Sequence, residues 1–94
     1  MSKQAYHGYL YGIVQGVGMR FTVIQVANEL GIQGGYVRNL PDGRVEIYAE
    51  GDPERIQELI HILETNQVGR GKVDKVEGQW MEPKENLSEF KVRR

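Results

Sequence analysis

Apolar residues recur along the chain at two spacings, and each spacing predicts a different secondary structure. Residues 21–31 carry an apolar stripe at helical spacing, and so do the residues that follow Pro53. Residues 87–92 are predicted as a final strand. Four other segments are rich in aromatic and β-branched residues or alternate apolar with polar ones, and they are predicted as strands: residues 6–14, 35–40, 44–50 and 73–80.

Capping residues mark the ends of both predicted helices. Gly31 stands where a C-cap belongs, because glycine accepts the left-handed conformation that often closes a helix. Asp52 can cap the second helix, and Pro53 suits its first turn. The apolar stripe of this second helix consists of Ile56, Leu59, Ile60 and Leu63.

The third strand is predicted to be buried on one face only. It follows the turn sequence Pro41-Asp42-Gly43, and its apolar and polar residues alternate. Its acidic residues, Glu46 and Glu50, are expected to face solvent. The buried face should be formed by Val45, Ile47 and Ala49.

The predicted order is β-α-β-β-α-β followed by a short terminal strand, with residues 66–72 as the loop before the fourth strand. This order is typical of the ferredoxin-like α/β sandwich, an α+β fold in which two helices cover one face of an antiparallel sheet. Ninety-four residues suffice for one core of ordinary size, so a single domain spanning residues 1–94 is expected.

Composition narrows the functional classes. The hydrophobic fraction of 39% and the charged fraction of 27% are typical of a soluble globular protein. A net charge of −1 disfavours nucleic acid as a partner. Because the chain has two histidines and no cysteine, no metal cluster of the usual kind is expected. Because the sequence has no long apolar run and no apolar signal segment, no membrane partner is expected, and a cytoplasmic location is predicted. The protein is predicted to be a monomer.

The segment between the first strand and the first helix has the composition of an anion-binding loop. Two glycines allow a turn whose N–H groups point into one concavity, and Arg20 adds a planar, permanently charged group. Together with a helix N-terminus they predict a pocket for a doubly charged oxyanion such as phosphate, without a metal. The predicted phosphate-binding residues are Gln15, Gly16, Val17, Gly18, Met19 and Arg20.

Familiar nucleotide and phosphatase motifs do not fit this loop. A dinucleotide fingerprint needs a third glycine where Phe21 stands. Cysteine-dependent phosphatases hold a thiolate six residues ahead of an arginine, and here that position is Val14. Because the two serines, Ser2 and Ser88, lie near the chain ends, a serine nucleophile is not indicated. Water would have to attack directly.

Asn39 is the candidate residue for holding that water. It ends the predicted second strand, which should run parallel to the first strand, so Asn39 should lie near Arg20. A carboxamide can accept a hydrogen bond from water and donate another, although a turn residue ahead of Pro41 explains Asn39 equally well on local grounds.

Taken together, these segments resemble the acylphosphatases. The resemblance rests on residues 14–20, which read VQGVGMR, and residues 35–46, which read GYVRNLPDGRVE, and it extends over nearly the whole chain. It implies a cofactor-free enzyme that hydrolyses a small acyl phosphate to a carboxylate and inorganic phosphate. It also implies that Arg20 binds the substrate phosphate, that the loop amides share its charge, and that Asn39 positions the attacking water.

The chemistry of an acyl phosphate suits so simple a site. Its leaving group is a carboxylate, whose conjugate acid has a pKa of roughly 4–5, so no general acid is required at neutral pH. Phosphoryl transfer depends mainly on positioning and charge stabilisation. A phosphate monoester, with a poorer leaving group, would need an acid or a metal that the sequence does not offer.

Two alternatives use the same elements differently. A domain that binds or carries acyl or carbamoyl phosphate would need the pocket without hydrolysis, although a chain that ends after its last strand favours a free-standing enzyme. An RNA-binding module of the same fold would stack bases on exposed aromatic residues. Tyr48, flanked by two glutamates, is a poor platform, and although Tyr9 and Tyr11 could supply rings, the absence of a basic excess disfavours this alternative.

Overall fold

The predicted order of elements is confirmed in a computed structural model that describes residues 3–65 and 70–94. Positions 66–69 of the predicted loop therefore lie outside the described residues, as do positions 1 and 2. The elements are β1 Gln4–Ile13, α1 Met19–Glu29, β2 Gly34–Asn39, β3 Val45–Gly51, α2 Pro53–Glu64, β4 Lys72–Met81 and β5 Phe90–Val92.

The five strands form one sheet in the order β4-β1-β3-β2-β5. β1 pairs antiparallel with both β3 and β4, and β2 pairs antiparallel with β3. β1 and β2 therefore run in the same direction, and their C-termini lie at the same end of the sheet. The predicted antiparallel sheet is confirmed except at one margin, where β5 pairs parallel with β2 through Tyr36 and Lys91.

Both helices pack against one face of the sheet, which gives the expected ferredoxin-like α+β sandwich. The hydrophobic core lies between them and includes Leu10 of β1, Val37 of β2 and Ile47 of β3. Its helical contributions include Val23, Val26 and Ala27 from α1, and Ile56, Leu59 and Leu63 from α2. Within the described residues, neither helix is long and apolar enough to cross a membrane.

The helix ends follow the predicted caps. Gly31 has φ 73°, and its N–H donates to the carbonyl oxygen of Asn28 at 3.1 Å, while the Ile32 N–H donates to that of Ala27 at 3.0 Å. This pair of bonds closes α1 with a glycine-dependent C-terminal motif. At the start of α2, the Asp52 side chain accepts a hydrogen bond from the Glu54 N–H at 2.9 Å.

The expectation that β3 is exposed on its polar face is wrong. Glu46 is 6% exposed, and Tyr48 and Glu50 are fully buried. The cause is long-range, because neighbouring strands and residues 84–87, which follow β4, cover this face. Both carboxylates are buried but satisfied, as buried charges must be.

Glu50 fastens the connection between β4 and β5. Its carboxylate accepts the N–H groups of Glu85, Asn86 and Leu87 at 3.0, 3.2 and 2.7 Å, and also the Tyr48 hydroxyl. Burial acts to raise the Glu50 pKa, but the Tyr48 hydroxyl and these amides hold it below its ordinary value. Burial and the neighbouring Glu50 raise the pKa of Tyr48 to about 12.

Glu46 holds a second polar cluster on the same face. The His7 Nε2 lies 2.6 Å from its carboxylate, and the Arg38 guanidinium donates to it through Nε at 2.9 Å and Nη2 at 2.7 Å. Burial acts to raise the Glu46 pKa, but the hydrogen bond from His7 and the charge of Arg38 hold it below its usual range. The charge of Glu46 is therefore balanced within the protein.

Candidate active site

The loop between β1 and α1 depends on two left-handed glycines. Gly16 has φ 76° and Gly18 has φ 75°, a region that favours glycine over other residues. A Cβ atom built at either position would meet no other atom within 4 Å. Backbone conformation, and not crowding, therefore requires glycine here, and the space in front of both residues is open.

The N-terminus of α1 is left without a side-chain cap. Gly18 occupies the N-cap position, and the first turn of the helix contains no acidic residue. The first helical hydrogen bond runs from the Thr22 N–H to the Gly18 carbonyl oxygen at 3.0 Å. The amides of the first turn therefore have no partner within the helix, and the helix dipole adds a partial positive charge at this end.

A pocket of about 320 Å³ opens at this helix end. Of the predicted site residues, it brings together Gly16, Gly18, Met19, Arg20 and Asn39. The convergence of Arg20 and Asn39 follows from the parallel directions of β1 and β2. The remaining two predicted loop residues, at positions 15 and 17, are not among those that line the pocket.

Arg20 is a cationic residue that lines the pocket. Its side chain is half-buried. In the part of the chain that the structure describes, no carboxylate forms an ion pair with it and no side chain accepts a hydrogen bond from it. Arg38, by contrast, is held by Glu46. Arg20 is therefore available to a ligand.

Asn39 presents an unsatisfied acceptor. It is the last residue of β2, paired with Val45 of β3, and it lies on the same face of the sheet as the core residue Val37. Its Oδ1 atom is buried and finds no hydrogen-bond partner among the described residues. Nearly all buried side-chain acceptors in proteins are paired, so an unpaired one calls for an explanation.

Several residues that line the pocket were not predicted as site residues. They include Phe21 and Ile24 of α1, Val92 of β5 and Arg94 beyond it. No sequence signal identified Val92 or Arg94, because they reach the pocket only through the parallel pairing of β5 with β2.

The sequence model of one family, described as Acylphosphatase, matches residues 6–92. The chain belongs to the acylphosphatase family. Two curated acylphosphatases match it over nearly their full length. The one from Caldanaerobacter subterraneus subsp. tengcongensis is 47% identical over 90 residues, which cover 96% of this chain and 98% of the relative. The one from Thermococcus kodakarensis is 46% identical over 92 residues, which cover 98% of each chain.

The three-dimensional comparison agrees with the sequence comparison. The crystal structure of an acylphosphatase from Bacillus subtilis superimposes with a TM-score of 0.86 at 30% identity, covering 97% of this chain and 99% of that one. The predicted family and the predicted fold class are both confirmed.

In the described part of this acylphosphatase, Tyr48 and Tyr9 are poorly placed to stack on RNA bases. Tyr48, the aromatic residue on the central strand β3, is fully buried and donates its hydroxyl to Glu50, so it cannot stack on a base. On β1, the Tyr9 ring is covered by the Arg44 guanidinium, whose carbon lies 4.3 Å from the ring centroid. Tyr48 and Tyr9 therefore do not present the open rings on which an RNA-binding module of this fold stacks bases.

Proposed function

We propose that the pocket at the N-terminus of α1 hydrolyses acyl phosphates to a carboxylate and inorganic phosphate by direct in-line attack of water, without a metal or cofactor. One observation carries this proposal: Arg20 and the Asn39 Oδ1, neither with a partner among the described residues, meet an uncapped helix end in one pocket. A phosphate group and a water molecule together supply what these three groups lack.

The substrate phosphate is held by Arg20 and by backbone amides of residues 15–19. A guanidinium can donate two parallel hydrogen bonds to phosphate oxygens, and a helix N-terminus adds amide donors with a favourable dipole. Because the backbone amides are fixed by the fold before the reaction, they stabilise the charge of the transferring phosphoryl group without reorganisation. The open space before Gly16 and Gly18 lets the oxyanion approach the backbone.

Asn39 positions the nucleophile. Its Oδ1 accepts a hydrogen bond from water and orients a lone pair of the water oxygen toward phosphorus. The water oxygen forms a bond to phosphorus while the bond between phosphorus and the bridging acyl oxygen breaks. The carboxylate leaves with the electron pair of that bond, and the protons of water pass to the phosphate product and to solvent.

The leaving group explains why no acid is needed at the far side of the pocket. The conjugate acid of a carboxylate has a pKa of about 4–5, so the group departs as an anion at neutral pH. The geometry therefore fits mixed anhydrides and not phosphate monoesters, whose alkoxide would need a proton.

The experiment that tests this function uses benzoyl phosphate in ¹⁸O-labelled water. We expect turnover that is unchanged by a chelator, with the label found in phosphate and not in benzoate, while phenyl phosphate is not hydrolysed. Label in benzoate would mean attack at the acyl carbon and would contradict the mechanism. Binding of inorganic phosphate without any turnover of benzoyl phosphate would instead favour the binding or carrier role.

A monomer as the functional unit remains a proposal from the sequence. Sedimentation at micromolar concentration, with activity measured at the same concentration, tests this proposal. The cytoplasmic location and the single domain spanning residues 1–94 remain predictions from the sequence.

A further inference from the structure

One wall of the active-site pocket is apolar and exposed. Phe21 is 70% exposed and Val92 is 38% exposed, and both line the pocket together with Ile24. This wall joins the first turns of α1 to the last residue of β5, beside the oxyanion-binding groups. When an apolar ligand group covers a large apolar side chain in a concave site, apolar surface is removed from water, and this favours binding.

We propose that this wall binds the acyl group, so that the enzyme favours acyl phosphates with an aromatic or branched apolar acyl group over acetyl phosphate. The proposal rests on the proposed function, because the wall selects a substrate only if the phosphate lies at Arg20. The phosphate is common to all such substrates, and the wall is the part of the pocket that can distinguish one acyl group from another.

The test compares the kcat/KM values of benzoyl phosphate and acetyl phosphate as a ratio. Truncating Phe21 to alanine should lower the ratio by about 10-fold, mainly through the KM of benzoyl phosphate, as expected for apolar contacts in a pocket. Ile13→Ala is the matched control, because Ile13 is also a large exposed apolar residue, 62% exposed, but does not line the pocket. It should leave the ratio unchanged.

An unchanged ratio in Phe21→Ala, or an equal change in Ile13→Ala, would overturn the acyl-binding wall. Loss of turnover of both substrates by the wild-type protein would overturn the proposed function itself. The two failures are therefore distinguishable. Val92→Ala, on the opposite element, gives a second measurement if Phe21→Ala does not fold.

A separate observation concerns Gln15, whose side chain crosses from the anion-binding loop to the turn between β2 and β3. Its Nε2 donates to the carbonyl oxygens of Leu40 and Arg44 at 2.7 and 2.9 Å. The same turn is closed by hydrogen bonds from the Leu40 N–H to the Arg44 carbonyl oxygen at 2.9 Å and from the Gly43 N–H to that of Leu40 at 3.1 Å. One carboxamide thus ties two loops together with both of its hydrogens.

The geometry points to Gln15 as a positioning residue that sets the distance between the phosphate and the attacking water. Leu40 follows Asn39 directly, so the bond from Gln15 fixes the backbone next to the proposed water-holding residue. At the other end, Gln15 precedes the two left-handed glycines of the loop. A small displacement between the two loops would misalign the nucleophile without removing any group that touches the substrate.

Gln15→Met keeps the length of the side chain and removes both donors. We expect kcat for benzoyl phosphate to fall by about 10-fold while the inhibition constant of inorganic phosphate changes less than about two-fold, since the phosphate-binding groups remain. Gln25→Met on the exposed face of α1 is the matched control and should have no effect.

A double-mutant cycle separates positioning from general structural damage. In an Asn39→Ala background, Gln15→Met should cause little further loss of kcat, because the group that it positions is already absent. Fully additive losses, or a loss confined to KM, would overturn the assignment. Gln15→Glu, which keeps the shape but replaces a donor with an acceptor, provides a second variant and should lower kcat at least as strongly as Gln15→Met.

Discussion

The chain passes from strand to helix twice, and the two connections treat their polar groups in opposite ways. Between β3 and α2, Asp52 caps the helix, Pro53 begins it, and the buried Glu50 just before them is satisfied by four donors. Between β1 and α1, the N-cap is Gly18, which offers no side chain, and Arg20 has no ion-pair partner among the described residues.

This difference distinguishes a structural connection from the one that we propose is functional. Paired polar groups contribute to the stability of the fold, whereas groups left unpaired at a pocket can bind a ligand. The connection between β3 and α2 therefore serves as a comparison for the candidate site between β1 and α1. Substitutions in the connection between β1 and α1 should change activity more than stability. Substitutions at the connection between β3 and α2 should change stability more than activity.

The largest expected effect comes from Arg20→Gln. Removing the guanidinium should lower kcat/KM for benzoyl phosphate by about 10³-fold, because a cation that stabilises the transferring phosphoryl group is lost. The midpoint of urea unfolding should hardly move, since no partner of Arg20 in the described structure is left unpaired. Arg55→Gln on α2, where the guanidinium contacts the Leu30 carbonyl oxygen, serves as the control. Full activity of Arg20→Gln would remove the basis of the comparison.

Asn39→Ala should have the next largest effect, lowering kcat by about 10²-fold through loss of the oriented water. Because its Oδ1 is unsatisfied in the described structure, its removal should not lower the free energy of unfolding. Steady-state kinetics with urea denaturation of the same preparation measures both. A change confined to KM would reassign Asn39 to substrate binding, and Asn28→Ala on the exposed face of α1 is the control.

Just before the connection between β3 and α2, Glu50→Gln should destabilise the protein by about 2 kcal/mol, because buried amides of residues 85–87 lose a charged acceptor. The loss of kcat/KM at a temperature well below unfolding should be smaller than in Arg20→Gln or Asn39→Ala. Urea unfolding measures the first effect, and Glu58→Gln on the exposed face of α2 is the control. A stability equal to the wild-type value would contradict the fastening role of Glu50.

Acid should weaken the contacts of Glu50. The pKa of Glu50 is lowered in the folded protein, so its stabilising contribution is complete above the pKa of an unfolded glutamate, about 4.3, and is lost as pH falls through the lower folded value. The pKa of Glu46 is shifted in the same direction. The free energy of unfolding should therefore decline below about pH 4.5, and less steeply in Glu50→Gln than in the wild type. Equal slopes would argue against the shift.

Asp52→Ala should have the smallest effect. Loss of the N-cap of α2 should lower the free energy of unfolding by about 1 kcal/mol and leave kcat unchanged, since Asp52 does not line the pocket. Thermal unfolding and benzoyl phosphate turnover check the two statements. A drop in kcat comparable to that of Asn39→Ala would mean that the two connections are not independent.

Local signals made most of the fold predictable. Gly31 and Asp52 marked helix ends through their own chemistry, and alternation marked the buried face of β3. The other face of β3 was mispredicted because its partners are distant in sequence. His7 contacts Glu46 from 39 residues away, and the amides that satisfy Glu50 lie more than thirty residues further along the chain. Local sequence patterns do not predict such distant partners.

The candidate site was predictable where it depends on one segment or on strand direction. The glycine loop and Arg20 could be read from neighbouring residues, and Asn39 was placed near them by the parallel course of β1 and β2. The side-chain bonds of Gln15 and the arrival of Val92 at the pocket depend on the exact packing of loops and on β5. Those details become visible only in three dimensions.

The strand order also has a consequence for the rate of folding. The first strand pairs with β3 and β4 but with no strand near it in sequence, so that Ala5 lies between Glu50 and Met81. The long segments between these paired residues must close into loops before the centre of the sheet gains any stability. Domains dominated by such distant pairings fold more slowly than helical bundles of the same size. During synthesis, β1 must therefore remain unpaired until much of the chain has emerged.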